Sequence, residues 1–225
     1  MFFPKMHIPD GFISLPTSAL FGLISIGFVG LALKGAAKSL DDRTTPLAGL
    51  TAVFIFAAQM INFPVAAGTS GHLLGAALAT ALVGPYSATL AITVVLGVQG
   101  LLFADGGLTA LGLNIFNMAV FGVWSSYLVI LLLRKLLSQS KLSFAISAGV
   151  AAFISVPVAA TGFCIQYALG GIGTISVATV TTAMLGTHLL IGIGEAVITF
   201  MTVYSVIRTR SDLVYGWKEK LEIKA

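Results

Sequence analysis

The chain reads as long apolar runs parted by short polar or glycine-rich breaks. The runs cover residues 15–33, 46–63, 72–83, 87–103, 108–133, 142–169 and 188–207. The breaks are Lys34 to Arg43, Asn62-Phe63-Pro64, Gly84-Pro85, Ala104-Asp105-Gly106-Gly107, Arg134-Lys135, a Gly- and Thr-rich stretch from Gly170 to Gly186, and Arg208 with Arg210. Most runs approach the ~20 residues that an apolar helix needs to cross a bilayer. The third is shorter, so it is expected to lie tilted or buried within protein. The runs are continuous and lack the alternation of a lipid-facing barrel strand. Helices and closed barrels are the structures that satisfy their own backbone in lipid. The expected fold is therefore all-α: a polytopic membrane protein, a bundle of about seven transmembrane helices.

Composition sharpens this picture. The chain is 57% hydrophobic and 9% charged, with a mean hydropathy of +1.02, whereas ordinary soluble domains are about 25% charged. The sequence predicts one transmembrane domain over 1–225, with an N-terminal loop over 1–14, the helical bundle over 15–207 and a tail over 208–225. Residues 1–5 are too short for the charged and apolar regions of a signal peptide. The one cysteine, Cys164, lies in an apolar run and reads as a small core residue.

The net charge of +4 resides in the breaks and carries topology, not nucleic-acid binding. Every lysine and arginine except Lys5 falls in the break 34–43, the break 134–141 or the tail from 208. If all seven runs cross, these three regions share one side, which their charge makes cytoplasmic. The N-terminus is then outside and the C-terminus inside.

The outer side collects the chemistry: His7, Asp10, the loop Gly68-Thr69-Ser70-Gly71-His72, Asp105 with its two glycines, and His188. A lone histidine is ordinarily a packed or capping residue. This chain has three histidines, and the count of runs puts them all on one face, which points to metal ligation. A chain beginning at Met6 would offer its α-amine, the His7 amide nitrogen and the His7 imidazole to one ion in fused chelate rings. His72, brought in by the flexible glycine-flanked turn before it, would complete a square of nitrogens. That geometry suits Ni(II) or Cu(II), and a related one suits Co(II). If residues 1–5 remain, the Met6 nitrogen is an amide and the terminal ligand is lost, so the expected start is Met6, through a misplaced start or trimming.

His188, Asp10, Ser70 and Asn62 are candidates for supporting or pathway roles. Glu195 is the one acid well inside a run, seven residues past His188 and so on the same helix face two turns deeper. An intramembrane acid is a functional candidate; the alternative is a structural hydrogen bond to Gln59, Gln99, Asn114 or backbone. There is no G-x-x-x-x-G-K-[ST] and no H-E-x-x-H, so neither P-loop ATP hydrolysis nor zincin proteolysis is expected. Two rival readings stand beside metal capture. One is a rhomboid-like serine protease built on Ser70 and His188, which needs a Ser–His hydrogen bond. The other is a stand-alone secondary metal transporter that uses Glu195 for coupling.

Four groups of residues also resemble one family. They are Met6-His7-Ile8-Pro9-Asp10-Gly11-Phe12; Gln59-Met60-Ile61-Asn62-Phe63-Pro64 with Gly68-Thr69-Ser70-Gly71-His72; Phe103 to Gly107 with Leu111-Gly112-Leu113-Asn114 and Asn117-Met118; and His188 to Ala196. In these the chain resembles the CbiM/NikM family, the substrate-binding membrane subunits (S components) of cobalt and nickel energy-coupling-factor ABC transporters. The resemblance runs from Met6 to Arg210. It implies a seven-helix subunit in a prokaryotic cell membrane, with an N-terminal loop that plunges into the bundle. It implies that the Met6 amine, the His7 amide and imidazole, and His72 bind the ion. It implies no enzymatic activity and no resident cofactor, only the transported Ni2+ or Co2+. The implied partners are membrane lipid, a transmembrane coupling subunit, two ABC ATPases and often a small accessory membrane subunit. The extension over residues 1–5 departs from the family pattern.

Overall fold

The structure is a computed structural model, and it describes residues 7–38, 44–61, 63–66 and 69–217. Met6 and Asn62 lie outside the described residues. Among the described residues, five helices are long and apolar enough to cross a membrane. They are α1 (Leu15–Ala36), α3 (Ala76–Leu102), α4 (Leu111–Leu136), α5 (Lys141–Gly170) and α6 (Val177–Thr209). A shorter apolar helix, α2 (Thr44–Gln59), precedes a small antiparallel hairpin of β1 (Phe63–Ala66) and β2 (Thr69–Gly71). The described residues are helical, as expected, apart from this short hairpin. The stretch before His72 is one edge of a two-stranded ladder, with Phe63 opposite Gly71, and not a free turn.

Helix α3 is two helices in one. Gly84 takes φ 79°, ψ 166° ahead of Pro85, a backbone that an L side chain adopts only at a cost. The chain folds back at this point. His72, just before α3, lies against His7 with ring centroids 5.0 Å apart, and Gly106, just after α3, is also packed on His7. A straight helix of 27 residues would hold its two ends about 40 Å apart. Residues 76–83 therefore run from the middle of the bundle to one end, and residues 85–102 return. This is why the third apolar run is short.

Helix α6 begins well before the apolar run that marks it. Ser176 caps it, its hydroxyl accepting from the Thr179 N–H at 3.1 Å. Farther along it the Thr187 hydroxyl turns back onto the helix, donating to the Ala183 carbonyl at 2.9 Å. Helix α4 contains a π-helical stretch, Phe116–Gly122. There Asn117 and Gln166 exchange side-chain hydrogen bonds at 2.9 and 3.0 Å in the buried interior. A side chain at Gly162 would run into Asn117.

The bundle has two distinct ends. At one, the Tyr215 N–H donates to the Leu82 carbonyl at 3.2 Å, Arg134 donates to the Gly216 carbonyl, and Tyr86 fills the space over Gly35. Residues 210–217 thus fold back onto the bundle, burying Val214. At the other end the N-terminal loop is tied down, with the Ser14 N–H to the Gly170 carbonyl at 2.7 Å and the Ile172 N–H to the Phe12 carbonyl at 3.1 Å. Phe12 stacks on Phe163 there.

Candidate metal centre

The loop that precedes α1 enters the bundle because its main chain is paired there. The Ile8 N–H donates to Asn114 Oδ1 at 3.2 Å, and Asn114 Nδ2 donates back to the Ile8 carbonyl at 3.4 Å. The same carbonyl accepts from the Gly107 N–H at 2.8 Å. Asn114 acts here as a strand partner would, satisfying both backbone groups of one residue away from water. Asp10 closes the loop from above, with Oδ1 accepting from the Thr109 N–H at 2.8 Å and the Thr109 hydroxyl at 2.6 Å. The two glycines of the 103–107 turn make room. A Cβ on Gly106 would lie 2.9 Å from the His7 Cβ, and one on Gly107 would collide with the Asp10 backbone.

This anchoring buries His7, which is 7% exposed. Its Nδ1 lies 3.3 Å from Asp105 Oδ2, and neither ring nitrogen makes a hydrogen bond to a described residue. His72 lies alongside, its ring tilted 59° to that of His7. The His72 Nδ1 lies 2.9 Å from the Leu73 carbonyl, which makes Nδ1 the protonated nitrogen and leaves Nε2 as the free donor pair. Burial, then the neighbouring His7, pushes the His72 imidazole down to about 4, so it is neutral at physiological pH. His72 stands in the extended stretch ahead of α3, outside the spanning helices.

Among the described residues no three His, Cys, Asp or Glu side chains gather to hold an ion.

The remaining sequence candidates divide. His188 has its Nδ1 engaged with the Met184 carbonyl one turn back on α6 at 2.7 Å. Glu195 is fully buried and accepts the Leu74 and Gly75 N–H groups at 2.7 and 2.8 Å, the backbone bond that was the structural alternative. Ser70 is described only through its backbone, in β2. Asn114 stood out in the sequence only as a motif residue and a partner for Glu195. Its grip on Ile8 joins residues 106 apart, and no local pattern signals it.

Comparison with known proteins decides the family. A family model described as the cobalt uptake substrate-specific transmembrane region matches residues 7–213. The chain belongs to the CbiM family. A Haloquadratum walsbyi protein named for metal transport is 38% identical over 210 residues, covering 93% of this chain and 94% of that protein. The fused nickel transport protein of Rhodobacter capsulatus is 40% identical over 117 residues, covering 52% of this chain and 34% of that longer protein. A crystal structure of a truncated transition metal transporter superposes with a TM-score of 0.81 at 31% identity, covering 90% of this chain and 99% of that one. As a CbiM family member the chain is a multi-pass membrane protein of the prokaryotic cobalt and nickel transport type.

Proposed function

We propose that this chain is the substrate-binding component of an energy-coupling-factor ABC importer for Ni2+ or Co2+. The observation that carries the reading is the His7–His72 pair, whose rings lie 5.0 Å apart with no hydrogen bond from either His7 nitrogen to a described residue. A buried imidazole whose nitrogens make no hydrogen bond is costly, and an ion bound at Nδ1 reduces that cost. The chelate uses the Met6 amine, the His7 amide nitrogen and the His7 Nδ1, since only Nδ1 closes a small ring with the residue's own amide. The His72 Nε2 is the fourth nitrogen. Its opposite nitrogen is held by a carbonyl, the arrangement that orients metal-bound histidines. Asp105 faces the Nδ1 side and supplies negative charge beside the cation.

The seven-run topology supports capture from outside. Every described lysine and arginine lies toward the end where Arg134 meets Gly216, and the paired histidines lie with the N-terminal loop, away from it. This orientation places the N-terminal loop outside and residues 208–225 in the cytoplasm. The chain has no P-loop, so ATP hydrolysis falls to two ABC ATPases joined through a transmembrane coupling subunit, with a small accessory membrane subunit completing the set. The loaded subunit reorients as the ATPases turn over and releases the ion inward, which requires different affinity in the two states.

The deciding experiment combines intact mass with bound-metal analysis on protein purified from its own membranes. A mass starting at Met6, with about one nickel or cobalt per chain that is lost in His7→Ala and His72→Ala, is the expected result. Tight metal binding by a chain starting at Met1 would remove the amine from the ligand set. Absence of any transition metal would overturn the reading.

A further inference from the structure

The short stretch that carries His72 into α3 is gripped from two sides. The Leu74 N–H donates to Glu195 Oε2 at 2.7 Å and the Gly75 N–H to Oε1 at 2.8 Å. The Leu74 carbonyl accepts from Gln59 Nε2 at 2.9 Å. Gln59 is the last residue of α2 and Glu195 lies within α6, and both are almost wholly shielded, at 0% and 2% exposed. Placing a carboxylate there costs free energy unless its oxygens are satisfied, and it spends both on main-chain N–H groups two and three residues from His72.

One peptide group joins this grip to the histidine. The Leu73 carbonyl faces the His72 Nδ1 at 2.9 Å, and the N–H of that same peptide, on Leu74, is the one bound by Glu195. Carboxylate, peptide and imidazole therefore form one hydrogen-bonded chain. Such chains polarise cooperatively. A carboxylate behind a ligating histidine fixes its ring and raises its basicity; here a peptide stands between the two. The turn itself depends on Gly75, at φ 77°, where a Cβ would come 3.0 Å from Ile55.

We propose that Glu195 is a positioning residue that sets the orientation of the His72 imidazole through the Leu73–Leu74 peptide, with Gln59 holding the adjoining Leu74–Gly75 peptide by its carbonyl, a role that rests on His72 being a metal ligand. Glu195→Gln is the informative change, because a carboxamide keeps one acceptor and turns a donor toward the second N–H. Nickel titration of the purified full chain compares wild type, His72→Ala, Glu195→Gln and the double variant. Glu195→Gln is expected to weaken Ni2+ about 10–100-fold, the usual effect of losing a partner of a ligand. The double variant should bind no more weakly than His72→Ala, since coupled residues are not additive. Without metal, hydrogen exchange at Leu74 and Gly75 should rise in Glu195→Gln while the rest of α3 is unchanged.

Full additivity in the double variant, or wild-type affinity in Glu195→Gln, overturns the proposal. If His72→Ala binds nickel like wild type, the ligand reading fails and this role fails with it, whatever exchange at 74–75 shows. If Glu195→Gln does not fold, Gln59→Leu removes the opposite hydrogen bond and carries the same comparison with His72→Ala.

Discussion

The N-terminal loop reaches the centre of the bundle through a few residues that handle its backbone. Asn114 is the main one. Removing its side chain leaves the Ile8 N–H unpaired in a buried place, a cost of about 1–3 kcal/mol. Asn114→Ala is therefore expected to lower thermal stability and to weaken Ni2+ about 10–100-fold by letting His7 drift, both measurable on the purified protein. Asp105→Asn tests the charge beside His7. The variant should keep the fold and lose nickel affinity, while its unfolding temperature without metal stays near wild type. At this scale the histidines were legible, because three in so apolar a chain are conspicuous. Asn114 was not, because one buried amide resembles another until the backbone it pairs with is known. Met6, on which the proposed chelate depends, lies outside the described residues.

Among the elements, the breaks were readable and the path between them was less so. Gly84-Pro85 announced a stop, but only the packing of His72 and Gly106 on one ring shows that α3 reverses there. The start of α6 was hidden because Gly and Thr favour loops on their own; the cap at Ser176 and the packing of α6 along α5 overrule that preference. The hairpin was missed for a similar reason, since three or four residues carry too little pattern to mark a strand. Two close approaches now test the architecture. A methyl on Gly112 would sit 2.5 Å from the Gly22 Cα, where α1 also binds α4 through Ser25 Oγ to the Gly112 carbonyl at 2.7 Å. Gly112→Val should push α1 away and destabilise the protein by about 1–3 kcal/mol. Because the metal loop continues directly into α1, nickel binding should fall as well. The same substitution at Gly194, which has open space around it, should leave unfolding temperature and binding unchanged.

For the molecule as a whole, the asymmetry of charge is the feature that turns a fold into a direction. Lys34, Lys38, Arg134, Lys135, Lys141, Arg208 and Arg210 lie toward one end, while Asp10 and Asp105 lie with the histidines. Moving charge through lipid is costly, and basic loops are retained on the cytoplasmic side, so this distribution predicts that the histidine pair faces outward before transport. Thiol labelling checks it directly. Cys164 is buried, and replacing it by alanine gives a background in which an introduced cysteine is the reactive one. Leu108, exposed beside the metal loop, and Gln139, exposed between α4 and α5, mark the two ends. In intact cells a membrane-impermeant maleimide should label Leu108→Cys, and should reach Gln139→Cys only after the membrane is opened. The reverse pattern would place the histidine pair on the cytoplasmic side. The same geometry would then describe a site loaded from within, and import would have to give way to export.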